Sequence, residues 1–214
     1  MSKIKVKHFS ISLDGFGAGL NQNKENPLGT RGMELHQWAF ATKMFKTMIG
    51  ASGGEEGVDN DVMSKTFENV GAVIMGRNMF GPIRGNWIDD EWKGWWGENP
   101  PFHVPVFVLT HHERKSLEME GGTTFHFITS GIKTALDEAK KVAQGKDIVI
   151  GGGVSTIRQF IQAGCIDEIE ISLSPVFLGS GENLFSGIDM NSLGYTKIVR
   201  TEGERATHFV MTRE

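Results

Sequence analysis

Cysteine is almost absent from this chain of 214 residues, Cys165 being the only one. A single thiol excludes an intramolecular disulfide framework and a thiolate zinc cluster. A reducing, cytoplasmic setting is therefore expected. Long apolar runs are also missing: the stretch from Val104 to Leu109 is far shorter than the roughly 18 residues of a spanning helix. The N-terminal MSKIKVKHFSISLDG is charged and alternating, without the apolar h-region of a secretory signal, so no membrane partner is expected. No sign of charge dominates, since 22 Lys and Arg stand against 26 Asp and Glu for a net −4. That balance supplies no global reason to expect nucleic acid or an anionic membrane surface. The histidines lack HExxH spacing, and no GxSxG is present; no metal centre or serine-hydrolase elbow is expected.

What the chain has in excess is glycine, 28 of 214 residues, where ~7% is ordinary. The glycines follow no period, which excludes collagen and solenoid repeats, and they gather at the ends of apolar segments. Glycine there lets backbone approach backbone or ligand closely. Hydrophobic residues at 39% and charged residues at 22% fit a folded core rather than disorder.

Apolar positions Ile4 and Val6 shift phase to Phe9, Ile11 and Leu13, predicting a bulged strand that ends at Asp14-Gly15. Residues 15–32 hold too many Gly and Asn for an element and form a long loop. From Glu34, the positions Leu35, Trp38, Phe45, Met48 and Ile49 predict one helix with a buried stripe, stopped by Gly50. The acidic run from Glu55 to Asp61 reads as a solvated insertion, with a short helix from about Asp61. Strands are predicted at 70–75, 104–110, 124–128 and 147–150, with helices after the last two. Pro105 is tolerable only near a strand start or at an edge. Strand and helix alternate through this region, which argues for a largely parallel sheet. Ile169 to Leu173 and two alternating segments near 194–200 and 206–213, the last two joined at Glu202-Gly203-Glu204, add an antiparallel C-terminal edge. Nothing divides the chain, so residues 1–214 are expected to form a single α/β domain.

Four strand ends carry candidate chemistry. Ile148-Val-Ile-Gly151-Gly152-Gly153-Val-Ser155-Thr156 brings a buried strand through a glycine turn into a helix start. Orphan N–H groups and the helix dipole favour a phosphate there; a tight turn without a ligand is the alternative. The pattern GGGxSxxxxF is neither GxGxxG nor a P-loop, and too little chain follows for a doubly wound dinucleotide fold. Gly76-Arg77-Asn78 and Thr110-His111, with Arg114 nearby, end two further strands with anion-binding groups. Ser12-Leu-Asp14-Gly15 ends the first. Asp14 either holds substrate and loop or forms a turn. Glu34 either donates a proton or anchors substrate, or serves the helix N-terminus electrostatically. The tryptophans in 84–103 form a platform for a planar ligand, a subunit contact or the packing of a long loop.

Taken in order, Ser12-Leu-Asp14-Gly15, Val73-Ile-Met-Gly76-Arg77, Val106-Phe-Val-Leu-Thr110, Ile150-Gly-Gly-Gly153 with Phe160, and Asp167-Glu-Ile169 through Pro175-Val-Phe-Leu-Gly179-Ser-Gly181 resemble the dihydrofolate-reductase-like superfamily. The nearest branch is the C-terminal reductase domain of the bifunctional riboflavin-biosynthesis deaminase/reductase. The resemblance implies a central mixed sheet with an antiparallel C-terminal hairpin and helices on both faces. It also implies NADPH as cofactor, a small-molecule substrate and a homodimer, for which the apolar segment Ile169 to Leu173 is the expected edge.

By the same resemblance Gly151, Gly152, Gly153, Ser155 and Thr156 hold the pyrophosphate. Gly76, Arg77 and Asn78 assist on the phosphates, and Thr110, His111 and Arg114 face the adenosine 2′-phosphate. Gly15 lies by the nicotinamide, with Ser12, Asp14 and Glu34 on the substrate and Asp14 and Glu34 as candidate catalytic groups. The implied activity is hydride transfer to a heterocyclic or ribosyl substrate, similar to reduction of 5-amino-6-(5-phosphoribosylamino)uracil. The alternatives are a dihydrofolate-reductase-type pterin reductase and a non-catalytic NADP-binding module. Phe16 and Gly151 stand where riboflavin reductases carry a basic residue and a glutamate.

Overall fold

Among the described residues nine strands join in one sheet, in the order β10-β11-β8-β1-β7-β3-β4-β6-β5. The computed structural model describes residues 2–81, 85–87 and 91–214. In chain order the strands are β1 (Ile4–Ser12), β2 (Phe16–Ala18), β3 (Val70–Gly76), β4 (Pro105–Leu109), β5 (Leu117–Glu118), β6 (Thr124–Ile128), β7 (Asp147–Gly152), β8 (Glu168–Ser174), β9 (Glu182–Asn183), β10 (Lys197–Glu202) and β11 (Thr207–Thr212). The helices are α1 (Gln37–Ala41), α2 (Lys43–Met48), α3 (Val58–Ser64), α4 (Arg77–Phe80), α5 (Ile132–Val142) and α6 (Val154–Gln162). Parallel pairing runs from β8 through β1, β7, β3 and β4 to β6, while β11 on β8, β10 on β11 and β5 on β6 are antiparallel. Pro105 opens β4, where its missing N–H does least harm.

The central strands are buried on both faces, and alternation sorts their side chains between two layers. Ile74, Phe107, Ile148 and Ile150 pack under Ala135, Leu136 and Ala139 of α5 and Ile157, Phe160 and Ile161 of α6. Val73, Met75, Val106, Val108 and Val149 form the opposite layer with Phe80, and Trp87, Trp92 and Trp96 pack against it. Tryptophan rings from the long connection thus cover the sheet face that no long helix reaches. This is the packing role among the three sequence alternatives; residues 82–84 and 88–90 of that connection lie outside the described residues. Farther along the same face, Trp38 and Ala39 of α1 meet Ala206 at the β10–β11 hairpin.

Three expectations change. The helix expected over 34–49 is a 3-10 turn at Gly32–His36 followed by α1 and α2. Thr42 separates the two helices in an extended conformation, its hydroxyl donating to Ala39 O and accepting from Phe45 N. A threonine that caps its own backbone competes with helix continuation, and Met48 and Ile49 are left exposed. Second, Ile169 to Leu173 is no sheet edge, because β8 lies between β1 and β11.

Third, the acidic segment is docked rather than solvated. Asp59 is buried at 4% exposure, and its Oδ1 lies 2.8 Å from His208 Nε2 while Oδ2 accepts from Arg205 N at 2.8 Å. His208 Nδ1 in turn lies 2.9 Å from Ser172 Oγ, and Glu204 accepts the Val58 and Asp59 N–H groups. Removing one member of such a buried set leaves the others unpaired. Asp59→Ala is expected to lower the unfolding free energy by about 3 kcal/mol in urea denaturation; a loss within experimental error would show that the cluster does not fasten α3 to the sheet.

Candidate active site

The cavity of interest begins where two parallel strands part. β1 and β7 pair only at Ile4↔Ile148 and Lys5↔Val149. Past that point β1 stays with β8, and β7 stays with β3 through Ile74↔Ile150 and Met75↔Gly152. A register slip on β1 sets Lys7 and His8 against the single residue Glu170 of β8; such a bulge bends its strand and re-aims a side chain. The opening is a cavity of about 640 Å³.

The glycine run lies at the centre of this cavity, with Gly151, Gly152 and Gly153 all on its wall. A Cβ on Gly151 would come 3.4 Å from Val73 Cγ1 and one on Gly152 3.2 Å from the Phe9 ring, whereas one on Gly153 would meet nothing within 4 Å. Gly153 is the N-cap of α6 and offers no side chain to cap it. Thr156 N and Ile157 N both donate to Gly153 O, so the N–H groups ahead of them are the helix's uncapped donors. Gly76 belongs to the same construction: its Cβ would come 2.3 Å from Thr156 Oγ1, so only glycine lets the end of β3 approach α6.

On the far side of the glycine run from β1, the cavity wall takes Arg77 and Asn78 from the start of α4 and Thr110, His111 and His112 beyond β4. The Arg77 guanidinium carbon stands 3.6 Å over the Trp87 ring, and that of Arg114 lies 4.8 Å from the same ring. Arg77 Nη1 donates to Gly85 O. Its Nε and Nη2 are buried with no partner among the described residues. Burial, together with the positive charge of Arg114, lowers the Arg77 pKa, and both effects are relieved by an anion. Arg114 itself is absent from the wall; it donates to Trp92 O and lies by the Phe80, Trp87 and Phe127 rings. Among the described residues no group of three His, Cys, Asp or Glu is placed to hold a metal ion, and no helix is long and apolar enough to cross a membrane.

The two carboxylates singled out by sequence do not line this cavity. Asp14 accepts from Ser12 Oγ at 2.5 Å, Leu178 N at 3.1 Å and Gly179 N at 2.7 Å, tying the end of β1 to the loop after β8. Desolvation acts against its ionisation, but the Ser12, Gly179 and Leu178 hydrogen bonds prevail and hold its pKa low. Glu34 receives both Nε and Nη2 of Arg31 at 2.8 Å, and that hydrogen bond likewise keeps it ionised. Ser12, Asp14, Gly15 and Glu34 do not line the cavity. Gly15 supports the same junction, with φ 84 and its carbonyl accepting from Leu184 N. In their place the β1 side of the wall carries Lys7, His8, Ser10 and His36. None of these four was singled out by sequence; the phase slip between Val6 and Phe9 marked the bulge without saying which side chain it turns inward. Burial pushes His36 down to about 4, so its ring is neutral.

The RibD C-terminal domain family matches residues 4–208. The chain belongs to this family. It is 31% identical to the uncharacterized protein YyaP of Bacillus subtilis (strain 168) over 178 residues, covering 78% of this chain and 89% of that one. In fold it is similar to a putative riboflavin biosynthesis protein of Shewanella sp. PV-4, with TM-score 0.56, 20% identity, and 100% of this chain and 99% of that chain covered. It is also similar to a diaminohydroxyphosphoribosylaminopyrimidine deaminase/5-amino-6-(5-phosphoribosylamino)uracil reductase of Thermotoga maritima, with TM-score 0.55 and 13% identity, where 100% of this chain spans 57% of the larger one. The mixed sheet with its C-terminal hairpin and helices on both faces is thus an arrangement this chain shares with those two solved structures.

Gly153 permits a test that separates folding from binding. Serine is a better N-cap than glycine by a few tenths of a kcal/mol, and φ −73 at this position admits a side chain. Gly153→Ser should therefore hold or slightly raise Tm, while its hydroxyl occupies the helix donors and its Cβ enters the cavity. Affinity for a phosphorylated ligand, measured by calorimetry with NADPH, should drop at least about tenfold. Unchanged affinity with a raised Tm would remove the α6 start from the binding site.

Proposed function

We propose that this RibD C-terminal domain is an NADPH-dependent reductase acting on a heterocyclic or ribosyl small molecule. The observation that carries the proposal is Arg77, a guanidinium with two nitrogens that lack a partner among the described residues, on the wall of the same cavity as the uncapped start of α6. One ligand with two separated phosphate positions answers both. Gly151, Gly152 and Gly153 with the α6 N–H groups, Ser155 and Thr156 would take the pyrophosphate. Arg77, with Asn78, Thr110 and His111, would take the adenosine 2′-phosphate, the group that separates NADPH from NADH. Arg114 would act through Trp87, holding the ring on which Arg77 lies.

When bound, a reduced nicotinamide supplies a hydride, and the protein's contribution is orientation and a proton. The β1 side of the split offers Phe9, Gly17, Ala18 and Leu28 as an apolar seat for a ring. Gly17 is needed there, since its Cβ would meet the Phe9 ring at 2.5 Å and Val154 Cγ2 at 2.7 Å. Asp14 and Gly15 serve as positioning residues, fixing the strand end from which this seat is built. Glu34 with Arg31 stabilises the 3-10 turn that presents His36. The name of the Thermotoga relative supports reduction of a 5-amino-6-(5-phosphoribosylamino)uracil-like compound as the first activity to assay. Assembly as a homodimer belongs to the same proposal, with β10, exposed at every residue, as the free sheet edge; sedimentation equilibrium would show it.

Arg77→Ala should weaken NADPH binding by roughly tenfold to a hundredfold, the value of a charge-assisted hydrogen bond, and leave NADH binding almost unchanged. Calorimetry with both dinucleotides checks this. A wild-type chain that takes up neither dinucleotide would overturn the proposal.

A further inference from the structure

His36 ends the 3-10 turn Gly32–His36 and lines the cavity together with Phe9, Ser10, Ala18 and Leu28. Contacts on either side in the chain fix it there. Leu35, just before it, is fully buried, and its carbonyl accepts from Ser174 Oγ at 2.6 Å. Trp38, two residues on, donates Nε1 to Ser10 Oγ at 2.9 Å. The His36 ring itself leans on Phe40, with centroids 6.0 Å apart. His36 is also the N-cap of α1, yet its side chain makes no capping hydrogen bond. Neither ring nitrogen has a partner among the described residues, and unlike Nε2 of His8 neither is sealed off, because the residue is half-buried and both nitrogens keep accessible surface. A polar ring held rigidly on a cavity wall with both nitrogens unspent is free to meet a ligand.

We propose that His36 is a specificity-determining residue of this cavity, one of its ring nitrogens hydrogen-bonding the polar edge of an uncharged planar heterocycle that carries neighbouring C=O and N–H groups. The inference rests on the reductase proposal above and deepens it by naming the class of ring that the substrate carries. Phe9, Ala18 and Leu28 supply apolar surface for such a ring. The imidazole supplies direction. In its neutral form it presents one N–H and one bare nitrogen, so it can donate to a ring carbonyl or accept from a ring N–H.

The surroundings select against a charged ring. Burial keeps His36 itself uncharged, holding it down to about 4, and a cationic ligand ring at that place meets the same desolvation. A carboxylate could offset the cost. Glu182, the one acidic residue on the wall among the described residues, instead accepts from Gln22 Nε2 at 3.0 Å. An anionic ring would need a cation, and Lys7 on the β1 side donates to the carbonyls of Lys65 and Glu68, which already solvate its charge. A neutral ring loses little on entry and regains a hydrogen bond from His36.

Nitrogen NMR of the full chain with labelled histidine, titrated with uracil in the presence and absence of NADPH, reads this contact directly. The expected result is a saturable shift of one His36 ring nitrogen. Orotate, the same ring bearing a carboxylate, and benzamidine, a planar cation, should shift it with at least about tenfold weaker affinity. His36→Phe keeps a flat ring and removes both nitrogens. It should weaken uracil binding about tenfold, the value of one hydrogen bond, with Tm and calorimetric NADPH affinity unchanged. His36→Gln restores a donor and an acceptor and should recover most of the loss. In turnover of 5-amino-6-(5-phosphoribosylamino)uracil the His36→Phe defect should fall on KM rather than kcat. A wild-type chain whose His36 nitrogens ignore uracil or respond more tightly to either charged ring would overturn the inference, as would a His36→Phe protein that binds uracil like wild type. Failure of the wild-type chain to bind NADPH would instead overturn the cofactor assignment, and the uracil titration of the chain alone would still decide the role of His36.

Discussion

The parting of β1 from β7 beyond Lys5↔Val149 is the constraint on which the remaining structure depends. Parallel strands left side by side would satisfy each other's N–H and C=O groups and leave no room between them. Here β1 keeps its ladder to β8 and β7 its ladder to β3, while the backbone groups that the two strands would otherwise exchange face the opening between them. Phe9 then reaches across the split, so that Gly17 is held small by Phe9 and Val154 and Gly152 lies against Phe9 and Met79.

The two faces of the sheet are built on different principles near the split. Under α5 and α6 the layer is built of aliphatic and aromatic side chains and is stabilised chiefly by their burial. Under α1 and α3, the β1–β8 pair presents Ser10, Ser172 and Glu170, joined by His208 from β11. Trp38 Nε1 donates to Ser10 Oγ at 2.9 Å, and Ser172, His208 and Asp59 form a continuous hydrogen-bonded set. Burial of so many polar groups is tolerated because each has found a partner. His8 departs from that pattern, with one ring nitrogen engaged and the other buried without a partner among the described residues.

Much of the scaffold is legible from local patterning. The apolar runs of β3, β4 and β7 and the apolar faces of α5 and α6 arise from side chains within a few residues of one another. The glycines at 151–153 announce a strand-to-helix junction for the same reason. Asp14 and Glu34 show where such inference stops: a carboxylate after a strand or at a helix start looks alike in sequence whether it faces substrate or a neighbouring backbone. In the folded chain their partners are Leu178 and Gly179 for one and Arg31 for the other. The solvated reading of Glu55 to Asp61 fails similarly, since Asp59 meets His208 at a separation of 149 residues, beyond any local pattern.

By itself, the order of residues determined which segments become strands and helices, which strand ends carry glycine and which carry Arg77 or Thr110, because these follow from short-range periodicity and backbone freedom. Only the tertiary structure decided that β1 and β7 separate, that the phase slip at Lys7-His8 turns an imidazole inward, and that Arg77 is left with unpaired nitrogens beside Trp87. Those outcomes depend on strand order and on residues far apart in the chain. A hydrogen bond or an empty space between them exists only once the sheet has been assembled.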